Sequence, residues 1–116
     1  MAPDTLRHLL KHQKEIGLTE DQVARLKAIH LELDRTRIRT EAEVLVAERE
    51  LATMVQDDKT DLAAIEAKVK QSEALEAGLR LAAIKAKRDA MALLTPEQRE
   101  KERSQHEKMI PHRREG

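Results

Sequence analysis

After Gly17, no glycine or proline interrupts the chain until well beyond Gln56. Apolar residues recur at helical spacing from Val23 onward, which predicts one continuous helix over this stretch. Some 35 residues in a helix extend roughly 50 Å at 1.5 Å per residue. The chain has 116 residues, enough for one domain only. A helix this long within one small domain favours an all-α fold built from long helices.

The composition excludes several classes of function. Aromatic residues are absent, and Lys plus Arg equals Asp plus Glu at 22 each. Nucleic-acid binding therefore lacks both its stacking groups and its net positive charge. Because there is no Cys, disulfide frameworks, zinc fingers and cysteine nucleophiles are excluded. The sequence also contains no glycine-rich phosphate loop, no His-Glu-x-x-His and no nucleophile elbow, so we expect a non-enzymatic protein.

The apolar residues can form only a thin core. Without Phe, Tyr or Trp, aliphatic side chains line a narrow helical seam and leave further apolar surface to cover. We therefore expect a homodimer in which the second copy covers a second seam. The aliphatic runs are too short for a membrane-spanning helix, and the N-terminus lacks signal-peptide character, so we expect no direct membrane insertion of this chain.

Periodicity and helix-end signals predict four helices. Gly17 is suited to the left-handed position that closes the first helix, and the polar residues 57–61 separate the second from the third. The predicted helices cover about 4–16, 19–56, 62–93 and 97–109. A short connection between two long helices implies an antiparallel hairpin. Residues 1–110 form the single predicted domain, and residues 111–116 a disordered tail.

Heptad-like spacing predicts which residues meet inside the hairpin. If the turn centres near Asp58, Ile38 faces Gly78, where the two backbones can approach closely. The predicted seam of the second helix is Val23, Leu26, His30, Leu33, Arg37, Thr40, Val44, Ala47, Leu51 and Met54. That of the third helix is Leu62, Ile65, Val69, Ser72, Glu76, Leu79, Ala83, Ala86, Ala90 and Leu93.

Two segments carry the same helix-start motif. They read Leu18-Thr19-Glu20-Asp21-Gln22 and Leu94-Thr95-Pro96-Glu97-Gln98. In each capping box the Thr hydroxyl accepts a hydrogen bond from the amide three residues later, and the Gln side chain accepts one from the Thr amide. Thr19, Gln22, Thr95 and Gln98 are therefore predicted structural caps.

Both segments match the LTxxQ motif, and with a long hairpin between them the chain resembles the Spy/CpxP superfamily of bacterial periplasmic stress proteins. The resemblance covers roughly residues 4 to 105. The superfamily includes Spy-type ATP-independent chaperones, ZraP-type zinc-associated proteins and CnrX-type heavy-metal sensors. The resemblance implies a hooked, cradle-like, all-helical homodimer located in the periplasm.

A metal site is one interpretation of the histidines. His8 and His12 are four residues apart on the first predicted helix, so they can share one divalent ion, and we expect them outside the core. The resemblance to CnrX-type sensors adds His30 as a third ligand, and Asp34 can supply an oxygen. Imidazoles suit Zn, Ni, Co or Cu. The alternative is that His8 and His12 are solvated and His30 is structural.

The sequence departs from the sensors in the rest of their ligand set. Their further His and Met ligands correspond to Ala86 and Ala90 here, so a closed six-ligand site is not expected. His106, Met109 and His112 form either a second, looser metal cluster or part of a disordered tail.

Three functions therefore stay open. The first is a metal-binding sensor or resistance protein that signals to a membrane-bound regulator. The second is an ATP-independent chaperone, whose basic residues beside scattered aliphatics hold unfolded clients by weak contacts. The candidate client-binding residues are Arg35, Arg37, Arg39, Lys85 and Arg88. The third is a helical adaptor with neither activity.

Overall fold

A computed structural model describes residues 4–109, apart from the side chains of His106, Lys108 and Met109. Over this range the protein is all-helical, with no strand. The helices are α1 (Thr5–Lys11), α2 (Gln13–Ile16), α3 (Glu20–Gln56), α4 (Leu62–Ala92) and α5 (Pro96–Met109). The predicted all-α fold with two long helices is confirmed. The predicted tail, residues 111–116, and the metal cluster of His106, Met109 and His112 lie outside what is described.

The first predicted helix is divided in two, so five helices replace the expected four. His12 ends α1 and precedes α2, with φ −105° and ψ 29°. The hydrogen bonds from His12 N to His8 O and from Ile16 N to His12 O are both kept, at 3.0 Å. Because the ladder continues past this distorted residue, the side chains keep their helical spacing. Periodicity therefore could not show the break.

Gly17 and the polar connection 57–61 end and begin helices as predicted, and Asp4 adds a cap that was not predicted. The Asp4 side chain caps α1 by accepting hydrogen bonds from the amides of Leu6 and Arg7. Gly17 closes α2 in the left-handed region, at φ 82°. Asp61 caps α4, its Oδ1 accepting a hydrogen bond from Ala64 N at 2.8 Å. Each of these groups satisfies backbone atoms that a helix leaves unpaired at its ends.

The chain divides into two compact units. Of the described residues, 4–31 and 86–109 belong to the terminal unit, and 32–85 belong to the hairpin unit. In the terminal unit, α2 packs against α1 and α5. The buried apolar core of this unit consists of Leu6, Leu9, Ile16, Leu26, Ala86, Ala90 and Leu94. In the part of the chain described, no helix is both long and apolar enough to cross a membrane.

In the hairpin unit, the predicted seam of α3 is confirmed. Leu33 and Ala47 are buried, and Arg37, Thr40, Val44, Leu51 and Met54 are half-buried.

The seam of α4 is only partly as predicted. Ser72 is buried and Ile65, Leu79 and Ala83 are half-buried, but the predicted Leu62, Val69 and Glu76 are exposed. Lys68 and Leu75 are half-buried in their place. The rows through 68 and 69 flank the row 65–72–79 on opposite sides, so a small rotation of the helix decides between them.

The expected close approach of Ile38 and Gly78 is wrong. Ile38 is 64% exposed, and a Cβ added at Gly78 would meet nothing within 4 Å. Instead, the Lys68 ammonium pairs with the Glu50 carboxylate at 3.0 Å, joining the two helices of the unit. This pair corresponds to a turn centred near Lys59, the middle of the connection between Gln56 and Leu62, rather than at Asp58.

Candidate functional site

Two glutamines of the LTxxQ segments join each other in the terminal unit. Gln22 Nε2 donates a hydrogen bond to Gln98 Oε1 at 2.8 Å, and Gln98 Nε2 donates one to Gln22 Oε1 at 2.9 Å. Each side-chain amide also donates to the backbone carbonyl of the residue just before the other LTxxQ segment. Gln22 Nε2 reaches Leu93 O at 2.8 Å, and Gln98 Nε2 reaches Gly17 O at 2.7 Å. We call this four-bond arrangement the glutamine clasp.

Both predicted capping boxes are present beneath the clasp. Thr19 N donates to Gln22 Oε1 at 2.9 Å, and Gln22 N donates to Thr19 Oγ1 at 3.1 Å. Thr95 and Gln98 repeat the same two bonds at 2.9 and 3.1 Å. Each glutamine oxygen thus accepts within its own box while each glutamine nitrogen donates outward. The same residue caps one helix and reaches the end of another.

The clasp itself was not predicted from the sequence. The sequence feature that could have predicted it is the glutamine repeated at the same position of both motifs. At each motif, the backbone carbonyl two residues before the Thr is the one that accepts from the other motif's glutamine. The capping role explained both glutamines, but it used only their oxygens and left two N–H donors per side chain without an assigned partner. Counting those donors would have suggested a contact between the two motifs.

The histidines of α1 differ from the prediction. His8 is buried, with 4% of its surface exposed, rather than lying outside the core. Helix α1 buries His8 as well as Leu6 and Leu9, so its buried face is wider than the face formed by its leucines. The ring centroids of His8 and His12 lie 4.7 Å apart with planes tilted by 52°. The two imidazoles therefore lie side by side, as their spacing predicted.

His12 lies at the junction of α1 and α2 and is half-buried. Its Nδ1 is 3.9 Å from Glu15 Oε2. Its Nε2 is buried and makes no hydrogen bond. A buried ring nitrogen without a partner is uncommon, because it has lost its hydrogen bonds to water and no protein group replaces them.

His30, in the first part of α3, lies close to the carboxylate of Asp4. Its Nε2 is 3.9 Å from Asp4 Oδ2, too long for a hydrogen bond, and this nitrogen is also buried without one. Asp34, the predicted oxygen donor, instead accepts a hydrogen bond from Arg37 at 3.1 Å. Asp4 comes from the other end of α1, so spacing along α3 could not suggest it.

The histidines thus form two pairs, His8 with His12 and His30 with Asp4, all within the terminal unit. Among residues 4–109, no group of three or more His, Asp or Glu side chains is arranged to hold a metal ion. The buried nitrogens of His12 and His30 nevertheless suit a metal, which would satisfy atoms that have no protein partner. Each pair contains two potential ligand side chains.

The candidate client-binding residues do not share one environment. Arg35, Arg39, Lys85 and Arg88 are exposed, whereas Arg37 is half-buried and bonded to Asp34. Arg35 lies 3.8 Å from Glu32 in a solvent-exposed pair. Large aliphatic side chains are also exposed on α3, among them Ile38, Leu45 and Val46.

Comparison with known proteins adds no relative. No family model matches the sequence, and no curated protein or solved structure is significantly similar to it. The resemblance to the LTxxQ proteins therefore rests on the two motifs and the helices between them.

Proposed function

We propose that this chain is a non-enzymatic periplasmic metal- or envelope-stress protein that binds a divalent transition-metal ion, as a heavy-metal sensor or resistance protein. The observation that carries the proposal is the contact between the His8 and His12 rings, 4.7 Å apart. The resemblance of the two LTxxQ segments to the periplasmic stress proteins supplies the location and the class.

The chemistry follows from the donor atoms. Two imidazoles from α1 and its junction with α2 suit Zn, Ni, Co or Cu, which take nitrogen ligands in preference to the hard cations. His30 offers a third imidazole nitrogen in the same unit, and Asp4 offers a carboxylate oxygen. When bound, the ion would cross-link the side chains that ligate it.

His12 gives such binding a structural consequence. Because its backbone forms the break between α1 and α2, fixing its ring also fixes the break. The terminal unit then presents α1 in one orientation, and a membrane-bound regulator is the partner that we propose reads it.

Calorimetric titration with Zn²⁺, Ni²⁺ and Co²⁺ tests the metal. We expect His12→Ala to weaken binding at least about tenfold, since it removes one of two imidazoles. His12 is only half-buried, which makes this variant safer for folding than one at the buried His8. Lys14→Ala, an exposed change on α2, is the matched control and should bind as the wild type does. Wild-type binding no tighter than millimolar contradicts the proposal.

The exposed aliphatics beside arginines on α3 favour a second candidate, an ATP-independent chaperone. This function predicts that the metal-free protein suppresses aggregation of an unfolded client, and that His12→Ala keeps the effect. Replacing Ile38 and Leu45 by Ser should reduce it. If neither metal binding nor suppression is observed, the helical adaptor is the interpretation that survives.

A homodimer belongs to this proposal as well. Ile38 and Leu45 are 64% and 54% exposed and lie seven residues apart on one face of α3, with the exposed Ala42 between them and Ala52 one heptad beyond Leu45. Residues at heptad spacing form the stripe that a second helix covers in a coiled coil. The face that holds this stripe is opposite the buried seam of α3, so it is open to another copy.

A further inference from the structure

The hairpin unit contains a groove of about 410 Å³ between α3 and α4. Its aliphatic lining comes from Val44, Leu79 and Ala83, all half-buried. This volume falls in the lower part of the range for small-molecule sites, about 300 to 1,000 Å³. The groove is separate from the histidines, which belong to the terminal unit.

The charged lining of the groove is balanced. Each helix supplies one arginine and one glutamate four residues apart, Arg37 with Glu41 on α3 and Glu76 with Arg80 on α4. Two positive and two negative side chains thus border an aliphatic surface. A lining of this kind favours a ligand that carries both signs of charge.

These charges are little used within the protein. Arg37 bonds to Asp34, but Glu41, Glu76 and Arg80 form no ion pair or side-chain hydrogen bond with any described residue. Elsewhere in the same unit, Lys68 and Glu50 do pair between the two helices, at 3.0 Å. The two helices can therefore form ion pairs with each other. In the groove, by contrast, positive and negative side chains remain available to a ligand.

We propose that this groove binds a small aliphatic ampholyte, a molecule with an apolar body that carries both a carboxylate and an ammonium group, as a short unblocked peptide does. The carboxylate is recognised by Arg80 and Arg37, the ammonium by Glu41 and Glu76, and the aliphatic body by Val44, Leu79 and Ala83. Arginine is well suited to the first task, because its planar fork binds a carboxylate through two parallel hydrogen bonds.

The charge balance also selects against other ligands. A simple anion would meet two glutamates, and a simple cation two arginines, so each would be repelled as much as attracted. A neutral apolar molecule would cover charged groups without replacing their water. Only a ligand with both charges can satisfy both pairs.

The probe is leucylleucine, titrated into the 116-residue protein while the methyl signals of Val44 and Ala83 are followed by NMR. A ligand of this size is expected to bind with a dissociation constant on the order of 0.1 to 1 mM. Arg80→Gln and Glu76→Gln should each weaken binding about tenfold, since each removes one charged contact. Arg49→Gln and Glu73→Gln, exposed changes of the same kind on α3 and α4 outside the groove, should leave it unchanged.

Chemical blocking of the probe separates charge recognition from apolar contact. N-acetylation removes the ammonium and C-amidation removes the carboxylate, so each blocked dipeptide should bind about tenfold more weakly. The inference is overturned if the blocked forms bind as tightly as the free one, or if the free one shifts signals only outside the groove.

This inference does not rest on the metal proposal. The groove variants leave His8, His12 and His30 unchanged, and the metal titration leaves the groove unchanged. Failure of one experiment therefore does not count against the other.

Discussion

Gln22 and Gln98 each use one side-chain amide for two tasks. The oxygen completes a capping box, and the nitrogen donates to a carbonyl that precedes the other box. Gln98 is buried, with 7% of its surface exposed, so water cannot replace its bonds. A buried amide that satisfies several partners stabilises more than an exposed cap does, because removing it leaves donors and acceptors unpaired.

Gln98→Ala should therefore lower the free energy of unfolding by about 2 to 4 kcal/mol, measured by urea denaturation. The change leaves Gly17 O and Thr95 N without their partners. Gln71→Ala is the matched control, since Gln71 is exposed on α4, and its effect should stay within about 0.5 kcal/mol. Equal effects for the two variants would show that the clasp contributes nothing beyond helix propensity.

At the scale of helices, the ends are set by backbone geometry as well as by caps. Gly17 and Gly78 both have open space where a Cβ would go. Gly17, however, has the left-handed φ of 82° that closes α2, whereas Gly78 lies within α4. Because an added Cβ is not crowded at either position, a difference between the two substitutions reports the backbone conformation and not crowding.

Alanine should have opposite effects at these two glycines. Gly17→Ala is expected to destabilise the protein by about 1 to 2 kcal/mol, because an L residue strains in this region. Gly78→Ala should stabilise it by about 0.5 to 1 kcal/mol, because alanine is the better helix former. Thermal and urea denaturation of both variants measure the difference. Effects of the same sign would contradict this account of the end of α2.

At the scale of the whole molecule, much aliphatic surface is left uncovered by the fold. Among residues 4–109, the exposed large aliphatics are Leu31, Ile38, Leu45, Val46, Val55, Leu62, Val69, Leu81 and Ile84. Contiguous apolar patches on soluble proteins generally mark interaction sites. Such a surface is consistent with both the proposed dimer and the chaperone candidate.

Sedimentation equilibrium should show a wild-type dimer, and replacing Ile38 and Leu45 together by Glu should convert it to a monomer. The physical reason is that two carboxylates per copy would have to be buried without partners in the stripe on α3. Leu62→Glu with Leu81→Glu places the same charges at exposed positions on α4 and should leave the dimer intact. A wild-type protein that is monomeric at high micromolar concentration ends the dimer proposal.

Local interactions determined what could be predicted from this sequence. Helix periodicity, the two capping boxes and Gly17 depend only on residues a few positions apart, so the long helices and their ends were predicted closely. The seam of α3 was predicted for the same reason, because its apolar residues repeat along one helix.

Only the tertiary structure decided how those helices meet. Gln22 with Gln98, His30 with Asp4, and Lys68 with Glu50 join residues that are distant along the chain. The burial of His8 likewise depends on what packs against α1. A single sequence records the spacing within a helix, but the rotation of one helix against another depends on all their side chains together, and that rotation determines which of several possible rows becomes the contact.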